Sequence, residues 1–458
     1  MRKHFTWPAR LFGVLLAGLA LGLPWQPAQA QHDIRGIQPT NGAFNLYAYP
    51  ATIPLPEGTS LPMWLFGDMT GGATATHPEG AGYYLPQYPG PTLVVDQGDT
   101  VTIKLTNYGI PQPVSILVTG HQVTASGGSE GLVTQAASLG ETASYSFTAD
   151  KPGTYIYHSL DGPNPGLHVE MGLLGVLIVR PDPVVNVGRN AYGDGTETDY
   201  EQEFLYLLTE VDPEIHLQVA VGHFNHFTNS DRFAKIWFVN GRVFPDLFEA
   251  DYSPLYPNQP YAALAKAHPG DRVLVRNVNA GHDSHPFHYH GENLQFVARD
   301  GRILSSDGDI ANLGRSDNTI NSAPKQAIDA LWVWTGKDLN WDIYGHDTTH
   351  VCEDIDGDGF GDAEAGSTYE HEYCPDHGKP FPVTLPGPGE LAFGAWYSGS
   401  PFLGDLGDLP PGEGGLNPFA GYFFVWHSHA EKELTTFDIF PGGTLSAVVV
   451  LPPSIPIE

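Results

Sequence analysis

The chain has 458 residues, 41% of them hydrophobic, enough to bury more than one core of domain size. A formal net charge of -31, from 21 Lys and Arg against 52 Asp and Glu, excludes a surface that tracks phosphate backbones and favours cations as partners. Gly 54 and Pro 40 make up about a fifth of the residues, which implies frequent turns, argues against long charged helices and favours an all-β protein.

In chain order, the first feature is the apolar run Leu11 to Leu23. It follows Arg2, Lys3 and Arg10 and precedes Ala28-Gln29-Ala30, the layout of a secretory signal over residues 1–30. Export to a periplasmic or extracellular space is the expectation. Removing that segment takes away three cations and no anions, leaving a charge of -34. No later run has the length of a membrane span. Segment 89–107 (PGPTLVVDQGDTVTIKLTN) alternates apolar and polar residues around a Gly-Asp turn, and 264–279 (LAKAHPGDRVLVRNVN) repeats the pattern. Each copy closes with an aromatic strand, a histidine-bearing turn and an apolar strand, at 153–181 and 421–452. This internal duplication predicts two antiparallel β-sandwiches: domain one at about 45–182, a linker at 183–199, and domain two at 200–458. The stretch from about 301 to 420 is too long for a strand connection and is expected to be an insertion.

The most informative string is His285-Pro286-Phe287-His288-Tyr289-His290-Gly291. On a strand, His288 and His290 point to one face, so two imidazoles can converge on one site. Imidazole suits copper, zinc, iron and nickel. His427-Ser428-His429 repeats the spacing near the end of domain two, and domain one offers His158 at the matching place and His121 after its central strand.

These motifs resemble the multicopper oxidase and copper nitrite reductase superfamily over nearly all of the chain beyond residue 30. HPFHYHG is similar to the family's third copper motif, in which His285 would bind a mononuclear blue copper and His288 and His290 an interdomain cluster. WHSHAEKELTTFD at 426–438 resembles the fourth motif, YHSLDGPNPGLHVEMGLLGVLIV at 157–179 the nitrite reductase version of the domain-one copper strand, and FVNGRVFPD at 238–246 a segment near the start of a later domain. The resemblance implies two cupredoxin-like Greek-key β-sandwich domains, the second carrying the insertion.

The departures from the family pattern fall on the copper ligands. Ser428 stands at the thiolate position, Glu433 at the later histidine and Asp438 at the axial place; in domain one Ser159 and Leu173 stand at the cysteine and axial positions, although His168 matches a ligand. The His-x-His-Gly of the first oxidase motif corresponds to Leu117-Val118-Thr119-Gly120; in the nitrite reductase alignment His121 keeps one ligand place and Ile116 replaces another. A blue site needs a soft thiolate, and a serine hydroxyl is hard and neutral, so neither blue site is expected. What remains is a copper set of His121, His158, His288, His290, His427 and His429. In two-domain relatives such a cluster forms between domain one of one subunit and domain two of the next, implying a homotrimer. The functional expectation is a copper oxidoreductase acting on oxygen, peroxide, nitrite or a phenol; the alternatives are a noncatalytic copper-binding or assembly protein, and a cluster that holds zinc or no metal.

A second metal loop runs from Asp354. Asp354, Asp356, Asp358 and Asp362 occupy positions 1, 3, 5 and 9 around Gly359, with Phe360 offering a carbonyl and Glu364 next to the twelfth position. This loop resembles the calcium loops of EF-hand and thrombospondin-repeat proteins. Cys352 and Cys374 flank it, and in an oxidising compartment they are expected to form a disulfide, leaving no thiolate for a metal. His216, His223, His226, His282, His346, His350, His371 and His377 receive no role.

Overall fold

The computed structural model describes residues 32–70, 85–162, 164–224, 230–344, 349–380, 399–400, 422–451, 453 and 455–457. The expected signal segment lies outside them.

Domain one contains β1 (Ala43–Pro54), β2 (Ser60–Asp68), β3 (Leu93–Asp96), β4 (Thr100–Asn107), β5 (Leu117–Val118), β6 (Thr124–Gly127), β7 (Ser129–Glu130), β8 (Gln135–Ala136), β9 (Thr142–Thr148), β10 (Gly153–His158) and β11 (Leu174–Arg180), with a short helix α1 (Gly166–Glu170) before β11. A five-stranded sheet, β2-β1-β4-β9-β6, faces a four-stranded one, β3-β11-β10-β5. In β4 the sequence TVTIKLTN alternates as expected, burying Val101, Ile103 and Leu105 between the sheets.

Domain two contains β12 (Gln202–Val211), β13 (Ile236–Val239), β14 (Leu264–Ala267), β15 (Arg272–Asn279), β16 (His285–Tyr289), β17 (Leu294–Arg299), β18 (Arg302–Ile303), β19 (Ser316–Asp317), β20 (Thr319–Ser322), β21 (Gln326–Val333), β22 (Gly399–Ser400), β23 (Tyr422–Ser428) and β24 (Leu445–Val450), with helix α2 (Pro213–Ala220) after β12. Its two sheets run β13-β12-β15-β21-β17-β18 and β14-β24-β23-β16-β20. The duplication read from the sequence recurs in the pairing. β1 pairs with β4 in parallel and β12 with β15 in parallel, while β3 and β11 form the parallel pair matched by β14 and β24.

One expectation, the insertion boundary, needs correction. Segment 264–279 alternates apolar and polar residues, and β15 within it is buried on both faces except at Arg272. Its outward residue Val278 joins Leu205, Leu207, Ile236 and Phe238 against Ile156, Leu174, Val176 and Ile178 of domain one, forming an apolar core shared by the two sandwiches. The insertion does not begin at 301: β18 to β21 belong to the two sheets, and strand structure is interrupted only after Val333. Beyond that point Cys352 and Cys374 form the expected disulfide, with Cα atoms 5.5 Å apart.

Candidate metal centre

The register of β16 against β23 sets His288 directly opposite His427, with Phe287 opposite Ser428 and Tyr289 opposite Trp426. Side chains alternate along each strand, so Phe287, Tyr289 and Trp426 enter the core while the histidines share the outer face. His429 follows on the same side. The four rings form one cluster, with centroids 4.7 Å apart for His288 and His290, 4.3 Å for His288 and His429, 5.2 Å for His290 and His427, and 5.3 Å for His427 and His429. Gly291 permits the turn behind His290: its φ is +103°, and a Cβ there would lie 2.6 Å from the Trp332 ring.

Hydrogen bonds fix where two of these rings carry their lone pairs. His427 Nδ1 donates to the carbonyl of Ser428 at 2.8 Å, which leaves Nε2 unprotonated in the neutral ring. Thr319 donates its hydroxyl proton to Asn318, so it accepts from His288 Nδ1 at 2.9 Å, with the same result. Burial, then the neighbouring imidazoles, pushes His288 down to about 3; burial also lowers His427. Neutral rings with outward lone pairs are what a transition metal requires. His290 Nε2 and His427 Nε2 face each other at 3.2 Å, close to the roughly 3.3 Å separating two nitrogens bound at ~2.0 Å to one tetrahedral ion. The donor set fits copper. Its nitrogens converge pairwise and do not close into a cage: the sets of three or more ligand atoms lying mutually within 4.8 Å are elsewhere among the described residues.

The chain does not bring His121 and His158 to this cluster. His121 packs edge-on to Phe147 and Tyr155 in domain one, donates from Nδ1 to the Thr119 carbonyl, and keeps Nε2 buried without a hydrogen-bond partner. His158 projects from the opposite face of β10 to Tyr155, is 8% exposed, and is lowered to about 4 by burial and by Lys325. β10 pairs with β5 so that His158 faces Leu117, as His427 faces His288. Leu117 and Thr119 thus stand where domain two has His288 and His290, and the second half of a four-imidazole site is missing from domain one.

The two positions that the resemblance assigns to blue copper are filled by hydrogen bonds. His285 is 1% exposed, with Nε2 2.9 Å from Glu210 Oε2 and Nδ1 3.0 Å from Glu433 Oε2. Burial opposes its charge, but these two carboxylates raise its pKa to about 10. The chain of charges continues through Arg232, which bridges Glu210 at 2.7 Å and Glu170 at 2.6 Å. In domain one His168 Nδ1 lies 2.7 Å from Ser159 Oγ and Nε2 3.1 Å from Gln112 Oε1. Both ring nitrogens of His285 and of His168 are therefore engaged by protein groups. A copper bound through thiolate does not fit either pocket.

In the acidic loop, Asp354 accepts from the backbone of Gly357 and Gly359, Asp356 from Asp358, and Asp358 from Phe360. The carboxylates of Asp354, Asp356 and Asp358 come within 4.8 Å of one another; Asp362 and Glu364 are outside that set, with Asp362 accepting from Ile355. Sequence reasoning missed the partners that lie far along the chain: Glu210 beside His285, and Asp342 and Glu372 beside His350 and His377. Of the other histidines without a role, His216 is fully buried against the Pro62 carbonyl, His371 packs at Gly270, and His226 and His346 lie outside the described residues.

Residues 79–184 match the multicopper oxidase family. The L-ascorbate oxidase of Brassica rapa subsp. pekinensis is 33% identical over 129 residues, and the copper-containing nitrite reductase of Neisseria gonorrhoeae 35% over 96. Residues 79–184 are thus similar to a multicopper oxidase domain. The matched stretches are 27% and 20% of this chain and only 20% and 23% of those relatives. The solved structure of a multicopper oxidase, mgLAC, superposes with a TM-score of 0.51 at 17% identity, covering 92% of this chain and 88% of that one, and so shares the fold of paired cupredoxin-like β-sandwiches. The family match thus falls on the first sandwich, at 79–184, whereas the imidazole cluster sits in the second. Among the described residues no helix is long and apolar enough to cross a membrane.

Proposed function

We propose that the chain is an exported, periplasmic or extracellular copper-dependent oxidoreductase that holds copper through His288, His290, His427 and His429 and has no blue copper site. The observation that supports this reading most directly is the pairing of His288 with His427 across β16 and β23, which gathers four imidazoles on one sheet face. Copper bound there would supply one-electron chemistry toward oxygen, peroxide, nitrite or a phenol. The chain's own residues orient the His288 and His427 rings, through Thr319 and the Ser428 carbonyl, and burial favours their neutral forms. We further propose association into a homotrimer, as the resemblance implies. Phe423, Val425, Leu445 and Val449 surround the histidines as partly exposed apolar residues on an outer face whose counterpart in domain one is covered by domain two. A neighbouring subunit could complete the ligand set, although His158 is too buried to serve it without rearrangement.

A second reading, noncatalytic copper binding, draws support from the engagement of His285 and His168 at both positions where relatives relay electrons. In either reading Asp354, Asp356, Asp358 and the Phe360 carbonyl form a calcium clip on the insertion. The deciding experiment is turnover by copper-loaded, monodisperse protein with oxygen, peroxide, nitrite and phenols, comparing the parent with His290→Ala. Histidine-dependent turnover supports the oxidoreductase; stoichiometric copper without turnover supports the binding protein; no copper retained removes both.

A further inference from the structure

Beyond Val333, four side chains distant in sequence converge on one point: Asp342, His350, Glu372 and His377, each contributing a ligand atom within 4.8 Å of the others. The disulfide accounts for their meeting. His350 precedes Cys352 by two residues, Glu372 precedes Cys374 by two, and His377 follows it by three, so closing the Cys352–Cys374 bridge draws these three together. Asp342 comes from the sandwich side, between Trp341 and Ile343, both packed in the core of domain two.

The nitrogen to oxygen distances are 2.9 Å from His350 Nε2 to Glu372 Oε1, 3.4 Å from His350 Nε2 to Asp342 Oδ2, 2.6 Å from His377 Nδ1 to Glu372 Oε1 and 3.9 Å from His377 Nδ1 to Asp342 Oδ2. Ligands bound at ~2.0 Å around a tetrahedral ion stand about 3.3 Å apart, in the middle of that spread. The carboxylates are aimed by the backbone: Asp342 accepts from Tyr344 N at 2.9 Å and from Gly378 N at 2.8 Å. Glu372 is 2% exposed, and its second oxygen, Oε2, is buried with no hydrogen-bond donor. Leaving a buried carboxylate oxygen unsatisfied is costly, and a bound cation removes that cost.

We propose that Asp342, His350, Glu372 and His377 form a structural site for a divalent transition-metal ion, with zinc the best match to two imidazoles and two carboxylates. The ion would clip the disulfide-closed segment to the second sandwich through Asp342. This proposal is independent of the copper reading, since it shares no residue with the imidazole cluster.

The test uses the full chain carrying His290→Ala and His427→Ala, which disables the copper cluster, in buffer with excess calcium to occupy the acidic loop. After chelation, incubation with one to two equivalents of zinc and gel filtration, elemental analysis is expected to find close to one zinc per chain. Adding Glu372→Gln or His377→Ala should lower zinc affinity at least tenfold. His377, whose side chain is 34% exposed, is the substitution that perturbs packing least, and an intact disulfide with unchanged circular dichroism certifies its fold. An anomalous-scattering peak between the four side chains would locate the ion. Failure of the parent to retain zinc, or equal retention by the parent and a folded His377→Ala variant, overturns the proposal and leaves the four residues as hydrogen-bonded ion pairs only.

Discussion

The His285 pocket offers a quantitative test, because a position that the resemblance assigns to a copper ligand holds a charge between two carboxylates. Consider Glu433→Gln, which keeps a hydrogen-bond acceptor at Nδ1 and removes the charge. The rise of His285 from 6.5 to about 10 corresponds to on the order of 5 kcal/mol favouring the protonated ring, at about 1.4 kcal/mol per pH unit. Glu210 and Glu433 lie at nearly equal distances, 2.9 and 3.0 Å, so about 2 kcal/mol falls to Glu433, within the ~1.5–3 kcal/mol typical of hydrogen bonds to charged groups. The folded pKa lies above the unfolded one, so this stabilisation is fully present below about pH 6.5 and is lost as pH rises through 10. Lys325, pushed down to about 8 by burial and donating to the Ala280 and Gly281 carbonyls, contributes a slope of opposite sign between about pH 8 and 10.5. The readout is therefore the difference between variant and parent at each pH, which cancels the lysine. Urea denaturation followed by the fluorescence of Trp332, Trp334, Trp341 and Trp426 should show the variant about 2 kcal/mol less stable at pH 6 to 7, the gap closing towards pH 10 and above. A gap that stays constant across that range, or no gap at neutral pH, would refute the ion-pair account.

Two further outcomes follow from the same neighbourhood. Arg232→Met removes the guanidinium shared by Glu170 and Glu210, leaving Glu210 with His285 alone, and should cost about 3–5 kcal/mol at pH 7; the loss should shrink as the pH falls to 5 and Glu170 neutralises in the variant, so an equal loss at both pH values argues against it. Ser428→Cys alone, loaded with copper, should show no intense thiolate-to-copper absorption, since Glu433 continues to hold His285; a strong blue band in that single variant would show that the pocket still binds copper.

Much of the fold was legible because its signals are local. The Gly-Asp turns at 98–99 and 270–271 punctuate alternating strands, and their repetition announced the duplicated sandwich. The His-x-His pairs were legible for the same reason, strand alternation alone placing His288 with His290 and His427 with His429. What brought the two pairs together, the β16 to β23 register, depends on a pairing across 139 residues of sequence that no local pattern encodes. Likewise Glu210 reaches His285 from 75 residues away, and Glu433 from 148. The insertion boundary was misplaced because β18 to β20 are short and surrounded by Gly, Ser, Asp and Asn, whose turn chemistry outweighs their strand pattern.

The duplication also suggests why the imidazoles persist in one sandwich and not in the other. The outer face of β10 and β11 is sealed in domain one by Leu205, Leu207 and Phe238 of domain two, and Ile156, two residues before His158, lies in that shared core. Leu117 and Thr119 are themselves partly exposed, so it is His158, 8% exposed beside this seam, whose ring would be costly to leave there as an unpaired ligand. On the equivalent face of domain two, the ring of His429 is exposed and His427 partly so, which leaves lone pairs within reach of solvent, an ion or a second subunit. Burial of His158 against domain two therefore works against metal chemistry in domain one, while the exposed His429 leaves it feasible in domain two. Replacing Leu117 and Thr119 with histidine and freeing His158 from that seam are together the changes required to give domain one a comparable site.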